Sequence, residues 1–292
     1  MLIDAHAHLQ FKAFDEDRDE VIKRTIEGGV FCINVGTQKN TSEAAIELAE
    51  KYDGFWAAVG LHPIHTEESF HDEQEVSGDK GFKSREEVFD FDFYEKLAKH
   101  PKVVAIGECG FDYYRATPES RKKQEDAFRA QVRLAKKVGK PLMLHCRPSQ
   151  NHDKTYSDDA YLDMLRVLKE EGPPPPERAD GGWGNVHFFV GSIDIAKKFL
   201  EIGFSFSFSG VITITNMYDE VVKFLPLDKI LIETDSPYAA PRPWRGKRNE
   251  PLYVKEVAKR IAELMGLSFE QIAELTAQNA KKVFKLRNIN IN

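Results

Sequence analysis

Six residues of this chain carry side chains that bind divalent cations, and five separate apolar runs deliver them. The first run is Leu2-Ile3-Asp4-Ala5-His6-Ala7-His8. The others are Val103-Val104-Ala105-Ile106-Gly107-Glu108, Pro141-Leu142-Met143-Leu144-His145, Asn185-Val186-His187, and Lys229-Ile230-Leu231-Ile232-Glu233-Thr234-Asp235. Imidazoles mixed with hard carboxylates suit Mg²⁺, Mn²⁺ or Zn²⁺, and four of the first with two of the second are donors enough for two ions. Two ions about 3.5–4 Å apart can clamp the attacking and leaving oxygens of a displacement. His6 and His8 lie two apart, so on a strand both point to one face and can chelate one ion. Glu108 has two oxygens and can bridge two ions. Each residue taken alone has a plainer alternative: a structural ion pair for Glu108, a hydrogen-bonded core imidazole for His145 or His187, a helix cap for Asp235.

Side chains gathered from several strand ends are how a barrel enzyme builds a site. Eight short apolar runs read as strands: Leu2–Ala5, Cys32–Val35, Trp56–Leu61, Val103–Gly107, Leu142–His145, Val186–Phe189, Phe204–Phe208 and Lys229–Glu233. Most are β-branched or aromatic, as strands buried on both faces should be. Helical patterns separate them. Thr117-Pro118-Glu119 opens one, Phe128, Val132, Ala135 and Val138 continue it, and Gly139 closes it. Ser268-Phe269-Glu270-Gln271 is a capping box for another near the end. The order predicts an α/β fold, a closed (β/α)₈ TIM barrel. A doubly wound open sheet is the alternative, but no GxGxxG or GxxxxGK[ST] follows an early strand. In a closed barrel the eighth strand lies beside the first, which would bring Asp235 to His6 and His8.

At 292 residues the chain is long for an ordinary domain but of a size that single α/β barrels reach. We expect one domain over residues 1–292. Two segments break the rhythm: an acidic insertion at about 66–95, with eleven Asp and Glu, and a loop at about 172–184 containing Pro173-Pro174-Pro175-Pro176. Four consecutive prolines make a stiff extended spacer. The net charge of −6 means the molecule as a whole does not trap nucleic acid electrostatically, so local cations or metals must hold any polyanion. Cys32, Cys109 and Cys146 form no CxxC pair and read as small apolar packing. The start has no basic region followed by a long apolar one, and no stretch reaches membrane-span length. A reducing cytoplasm, no membrane and no obligate protein partner are the expectation.

Taken together the motifs resemble the TatD-type metal-dependent deoxyribonucleases, within the amidohydrolase-like barrels, over nearly the whole chain. They are Asp4-Ala5-His6-Ala7-His8, Gly60-Leu61-His62-Pro63, Gly107-Glu108-Cys109-Gly110-Phe111-Asp112, Leu144-His145-Cys146-Arg147, His187-Phe188-Phe189-Val190-Gly191-Ser192, Glu233-Thr234-Asp235-Ser236-Pro237-Tyr238 and Arg245-Gly246-Lys247-Arg248-Asn249-Glu250-Pro251. The resemblance implies that His6, His8, Glu108 and Asp235 hold one metal, and Glu108, His145 and His187 a second. It implies phosphodiester hydrolysis, trimming DNA and possibly RNA from an end. Phe111, Cys146 and Val190 depart from the family's usual residues, and none removes an expected ligand.

The catalytic residues are then Asp235, as acceptor of a proton from water, and Glu108. Expected substrate contacts are His62, Arg147, Tyr113, Arg245 and Arg248. The last two belong to a cationic loop with Arg242 and Lys247, free of acidic residues from Ser236 to Asn249, which could equally be an ordinary basic loop. Tyr114, Tyr238 and Trp244 could stack on bases or simply pack. Two other reactions fit the scaffold: aminoacyl-tRNA ester deacylation, and amide or lactone hydrolysis. Relatives that hydrolyse amides or lactones often bridge their metals with a modified Lys after strand four. Here Glu108 stands at that end, and Lys102 precedes the strand.

Overall fold

The computed structural model describes residues 1–68, 86–151, 155–173 and 181–286. Eight strands form one parallel sheet in sequence order: β1 Leu2–Ala7, β2 Val30–Val35, β3 Phe55–Val59, β4 Val103–Asp112, β5 Leu142–Arg147, β6 Gly184–Val186, β7 Phe204–Phe208 and β8 Ile230–Ile232. The sheet closes on itself. Asp235 N donates to the His6 carbonyl at 2.8 Å, His8 N donates to that of Ser236 at 2.9 Å, and Ala7 bridges Ser236 in parallel. The buried Asp4 carboxylate reinforces this seam by accepting from Thr234 N at 2.9 Å, Thr234 Oγ1 at 2.5 Å and His6 N at 3.2 Å. The TIM barrel expected from the sequence is the fold.

Helices α1 Arg18–Glu27, α2 Lys39–Lys51, α3 Phe91–Ala98, α4 Pro118–Val138, α5 Asp159–Glu171, α6 Ile193–Glu201, α7 Asp219–Phe224 and α8 Val254–Met265 cover the outside. Their apolar faces and the outward side chains of the strands make the larger core. The inward side chains, among them Ile3, Ala5, Ile33, Trp56, Met143 and Leu231, make a second core inside the barrel. A last helix, α9 Phe269–Phe284, adds Ala277, Ala280, Val283 and Phe284 to that inner core. Its Asn279 amide donates to the carbonyls of Leu227 and Ile230, at the entry of β8, at 2.7 and 2.8 Å. Among the described residues the helix therefore stops the N-terminal mouth of the barrel.

Local signals behave as their chemistry dictates. Thr117 caps α4 by accepting from Ser120 N at 3.1 Å, Gly139 ends that helix at φ +65°, and Ser268 with Gln271 forms the capping box of α9. The three cysteines are free and buried. The acidic stretch at 66–95 is only partly an interruption of the barrel, because its end enters α3, whose first turn Asp90 caps from the side chain. Residues 69–85 within it, and 174–180 of the Pro-rich loop, lie outside the described residues. Among the described residues no helix is long and apolar enough to cross a membrane.

Candidate metal centre

All six ligand-type residues converge at the open mouth. His6 is the last residue but one of β1 and His8 follows the strand, with Nε2 atoms 3.1 Å apart. Glu108 divides its oxygens between two groups. Oε2 lies 3.3 Å from His6 Nε2 and 3.9 Å from His8 Nε2, whereas Oε1 lies 2.8 Å from His145 Nδ1 and 2.9 Å from His187 Nε2. Asp235 Oδ1 completes the first group at 3.4 Å from His8 Nε2 and 3.8 Å from His6 Nε2. His145 Nδ1 and His187 Nε2 stand 3.4 Å apart in the second. With metal–ligand bonds of about 2.0–2.2 Å, neighbouring donors around one ion sit about 3.0–3.5 Å apart. The donor spacings run from 2.8 to 3.9 Å, close to that range, so the residues can gather around a divalent cation in each group, with Glu108 common to the two.

Hydrogen bonds behind the rings fix which nitrogen faces the centre. His8 Nδ1 donates to the Val35 carbonyl at 2.7 Å, which leaves the Nε2 lone pair pointing inward. His187 Nδ1 donates to Glu233 Oε1 at 3.2 Å, again freeing Nε2. In His145 the ring is reversed: Nε2 donates to Asp112 Oδ2 at 3.2 Å and Nδ1 faces Glu108. Carboxylates and carbonyls behind ligating imidazoles are the usual way to set tautomer and orientation. His62 differs. It also reaches Glu108 Oε1, at 3.4 Å from Nε2, and by distance alone it groups with Glu108 and His145 as a possible ligand. Yet its Nδ1 accepts from Ile64 N at 3.2 Å, so the neutral ring carries its hydrogen on Nε2. His62 therefore offers the centre a donor rather than a lone pair.

Electrostatics agree with a cation site. Burial, and then the charge of His187, lower the His6 pKa to about 3, so this ring is neutral at pH 7 and available as a ligand. Its plane stacks on that of His187 with centroids 3.8 Å apart. Burial opposes the charge on Glu108, but the imidazoles of His62, His187, His6 and His145 outweigh it and hold the carboxyl well below its ordinary range. Burial likewise opposes a proton on His187, and Glu108 and Glu233 overcome it, raising that ring well above its usual value. Burial opposes one on His145 too, and the bonds from Asp112 and Glu108 raise it. The carboxylates of the cluster thus favour positive charge beside His145 and His187.

Two residues at the mouth are held in the left-handed region that non-glycine residues avoid: Phe188 at φ 46° and Asp235 at φ 56°. For Phe188 the cause is visible, since Glu233 Oε1 takes its N–H at 2.8 Å as well as the neighbouring His187 ring. Strand β6 is shorter than the sequence suggests, and His187 stands just past its end. Beside the candidate ligands lies a cavity of about 490 Å³, lined also by His62, Arg147, Pro148, Phe11, Tyr156, Phe188, Val190, Tyr218 and Tyr238.

Of the expected substrate contacts, His62 and Arg147 line this cavity. Tyr113, Arg245 and Arg248 do not line it. Tyr113 is buried, with its hydroxyl on Asp163 at 3.0 Å and the Arg121 guanidinium over its ring. Arg248 is spent in a two-bond ion pair with Asp17, at 2.8 and 2.6 Å, and also donates to the Ala13 carbonyl. Arg245 is exposed to solvent and outside the lining, and Trp244 stacks on Tyr253. Sequence reasoning missed Asp112 and Glu233, the acids behind His145 and His187. A signal was present: Asp112 follows Glu108 by four residues on one strand, and Glu233 ends the apolar run of β8.

Comparison with known proteins accords with this geometry. The model of the TatD-related DNase family matches residues 3–285. The chain is 38% identical to an uncharacterized metal-dependent hydrolase, YabD, of Bacillus subtilis, over 98% of this chain and 100% of that one. It is 32% identical to a 3'-5' ssDNA/RNA exonuclease, TatD, of Citrobacter rodentium, over 97% of each. Its structure is similar to that of YjjV, a TatD homolog from Escherichia coli, with a TM-score of 0.77, 26% identity and 98% of each chain covered.

Proposed function

The chain belongs to the TatD-related DNase family and is a metal-dependent hydrolase, and from that premise we propose that it cleaves phosphodiesters at an end of single-stranded DNA or RNA. The observation that carries this reading is the division of Glu108 between two imidazole groups beside Asp235 in one open cavity. His6, His8, Glu108 and Asp235 would hold one divalent cation, and Glu108, His145 and His187 a second. Such cations supply Lewis acidity toward a phosphoryl oxygen and toward water.

The chain's own groups do the rest. Asp235 is the carboxylate of the cluster with the greatest exposure to the cavity, at 15% for its side chain against 4% for Glu108. It accepts the proton of the attacking water as the new O–P bond forms. The P–O bond to the leaving oxygen breaks, and that oxygen takes a proton, for which Asp235 is the nearest acid once loaded. His62 Nε2–H donates to a non-bridging oxygen, and Arg147 neutralises the phosphate from the cavity wall. Phe188, Tyr156, Tyr218 and Tyr238 give the terminal base an aromatic wall to lie against. Glu108, rather than a Lys, stands between the two imidazole groups among the described residues, which favours this reading over the modified-Lys bridge of an amide hydrolase. The relative named as an ssDNA/RNA exonuclease supports the same substrate class. We place the enzyme in the cytoplasm, as one barrel domain without an obligate protein partner.

The test is to strip the purified protein of metal, reload it with Mg²⁺, Mn²⁺ or Zn²⁺, and assay end-labelled single- and double-stranded DNA and RNA. Release of mononucleotides from single-stranded ends is expected. Reloaded protein with two ions bound and no turnover of any of these substrates defeats the proposal.

A further inference from the structure

Next to the cavity one tyrosine ring carries two guanidinium groups. The Arg147 Cζ lies 3.9 Å from the centroid of the Tyr114 ring, and the Arg115 Cζ lies 5.4 Å from it. Both arginines are exposed, and among the described residues neither makes an ion pair or a side-chain hydrogen bond. That sets them apart from most arginines of this chain. Arg18, Arg24, Arg121, Arg129, Arg133, Arg166, Arg248 and Arg260 each meet a carboxylate. Arg147 acts on the Asp112 carboxylate only through its charge, and among the described residues no carboxylate comes within ion-pair distance of either guanidinium, so both keep their donors for an anion. The ring stacking orders both planar groups in advance, so less entropy is lost when they bind.

The backbone ties this pair to the metal centre. Tyr113 N donates to the Arg147 carbonyl at 2.7 Å, which places residues 114 and 115 alongside Arg147. Asp112 accepts from Tyr114 N through Oδ1 at 3.2 Å, while its Oδ2 holds His145 Nε2. One carboxylate thus fixes both a metal-facing ring and the platform under the two arginines. Arg147 lines the cavity and Arg115 does not, so the two cations lead outward from the reacting position.

We propose that Arg147 and Arg115, arranged on Tyr114, form a clamp for successive phosphates of one nucleic-acid strand. It would make this protein prefer the end of a polymer over a lone phosphodiester. The inference rests on the phosphodiesterase reading. Arg147 takes the phosphate at or beside the scissile bond, and Arg115 takes the next one along. Arginine suits this task because its fork can give two hydrogen bonds to one phosphate.

The test uses metal-loaded protein and fluorescent thymidylates with phosphorothioate linkages that resist hydrolysis, read by anisotropy. Arg115→Ala should weaken binding of a ten-nucleotide strand by about two- to fivefold at low salt, as an exposed charge contact should. A dinucleotide should lose less than half as much. The slope of log affinity against log salt should fall by about 0.7 for each arginine removed. Arg115→Lys should restore the slope but not the full affinity. Equal losses at both lengths, or a decamer slope unchanged in Arg115→Ala, would overturn the clamp. Turnover of ordinary oligonucleotides is followed in parallel. Hydrolysis by the wild type with no Arg115 dependence removes the clamp and leaves the nuclease reading. Arg115-dependent strand binding by a protein that hydrolyses no strand keeps the clamp and removes the nuclease reading.

Discussion

Glu233→Gln separates the metal centre from the fold that carries it. Glu233 is wholly buried, and it is not a proposed ligand. Its Oε1 accepts from His187 Nδ1 at 3.2 Å and from Phe188 N at 2.8 Å, and its Oε2 accepts from Ser207 Oγ. A glutamine oxygen placed at Oε1 keeps the first two bonds. The new NH₂ then meets Ser207, whose oxygen can accept it, and the Ser207 hydrogen loses its acceptor. Asn185 stands ready to repair this. Its Nδ2 lies 2.6 Å from Ser207 Oγ and its Oδ1 is buried without a partner, so turning the amide over offers that hydrogen a new acceptor. The net stability cost should therefore be about 1 kcal/mol or less. The loss of charge behind His187 is not repaired. It makes the ring less basic and loosens its orientation, which for groups behind metal ligands typically costs about 10–100-fold in metal affinity or activity. Glu233→Ala, in contrast, strips three donors at once and should cost roughly 3–5 kcal/mol. Calorimetric Mn²⁺ titration and thermal melting of both variants decide the matter. If Glu233→Gln binds metal within twofold of wild type, or melts as early as Glu233→Ala, the assigned role of Glu233 is wrong.

The metal itself should be essential: exhaustive chelation should abolish turnover, and Mg²⁺ or Mn²⁺ should restore it, whereas full activity at verified zero metal content would sink the reading. Asp235→Asn keeps the side-chain shape but removes the base, so kcat should fall roughly 10²-fold or more with KM little changed. Glu108→Ala should instead lower metal occupancy in both groups, measured by elemental analysis, and normal metal content with normal turnover would mean the bridge is misassigned. Metal affinity should rise with pH through and above the neutral range. His145 and His187 hold their protons to higher pH than free imidazole, and each must release one to bind. Titrations in two buffers of different ionisation enthalpy would count the protons released, and a pH-independent affinity would refute the competition. Arg248→Ala should lower the melting temperature slightly and leave strand affinity near wild type, because its partner is Asp17; a large rise in KM with an unchanged melt would return Arg248 to the substrate.

What was legible in the sequence divides along physical lines. The barrel was legible because each buried strand is a short apolar run with a boundary, and because caps such as Thr117 and Ser268 act over three residues. The six ligand-type residues were legible for the same reason: a charged or imidazole side chain at the end of a buried run has few other uses. The strand ends were read only approximately. His187 stands beyond β6 and Asp235 beyond β8, each next to or in a left-handed backbone turn that no apolar pattern records. The tautomers were not legible at all. They depend on Val35, Asp112 and Glu233, which lie 27, 33 and 46 residues from the rings they orient.

The cationic loop after β8 shows most clearly what a sequence withholds. Charge can be counted along a chain, but whether a charge already has a partner is a property of the fold. Arg248 looked like a phosphate ligand because no acid stands from Ser236 to Asn249, yet Asp17, just before α1, lies against it. Removing Asp17 from Arg248 to admit a phosphate would exchange one paired anion for another, with little gain. Arg147 and Arg115 offer the opposite case, since among the described residues a phosphate there has no ion pair to break. On a molecule of net charge −6 the attraction for a polyanion must come from cations in that second state and from bound metal. The affinity for a strand should accordingly follow Arg147, Arg115 and the loading of the metal centre, and be nearly indifferent to Arg248, whose charge Asp17 already holds.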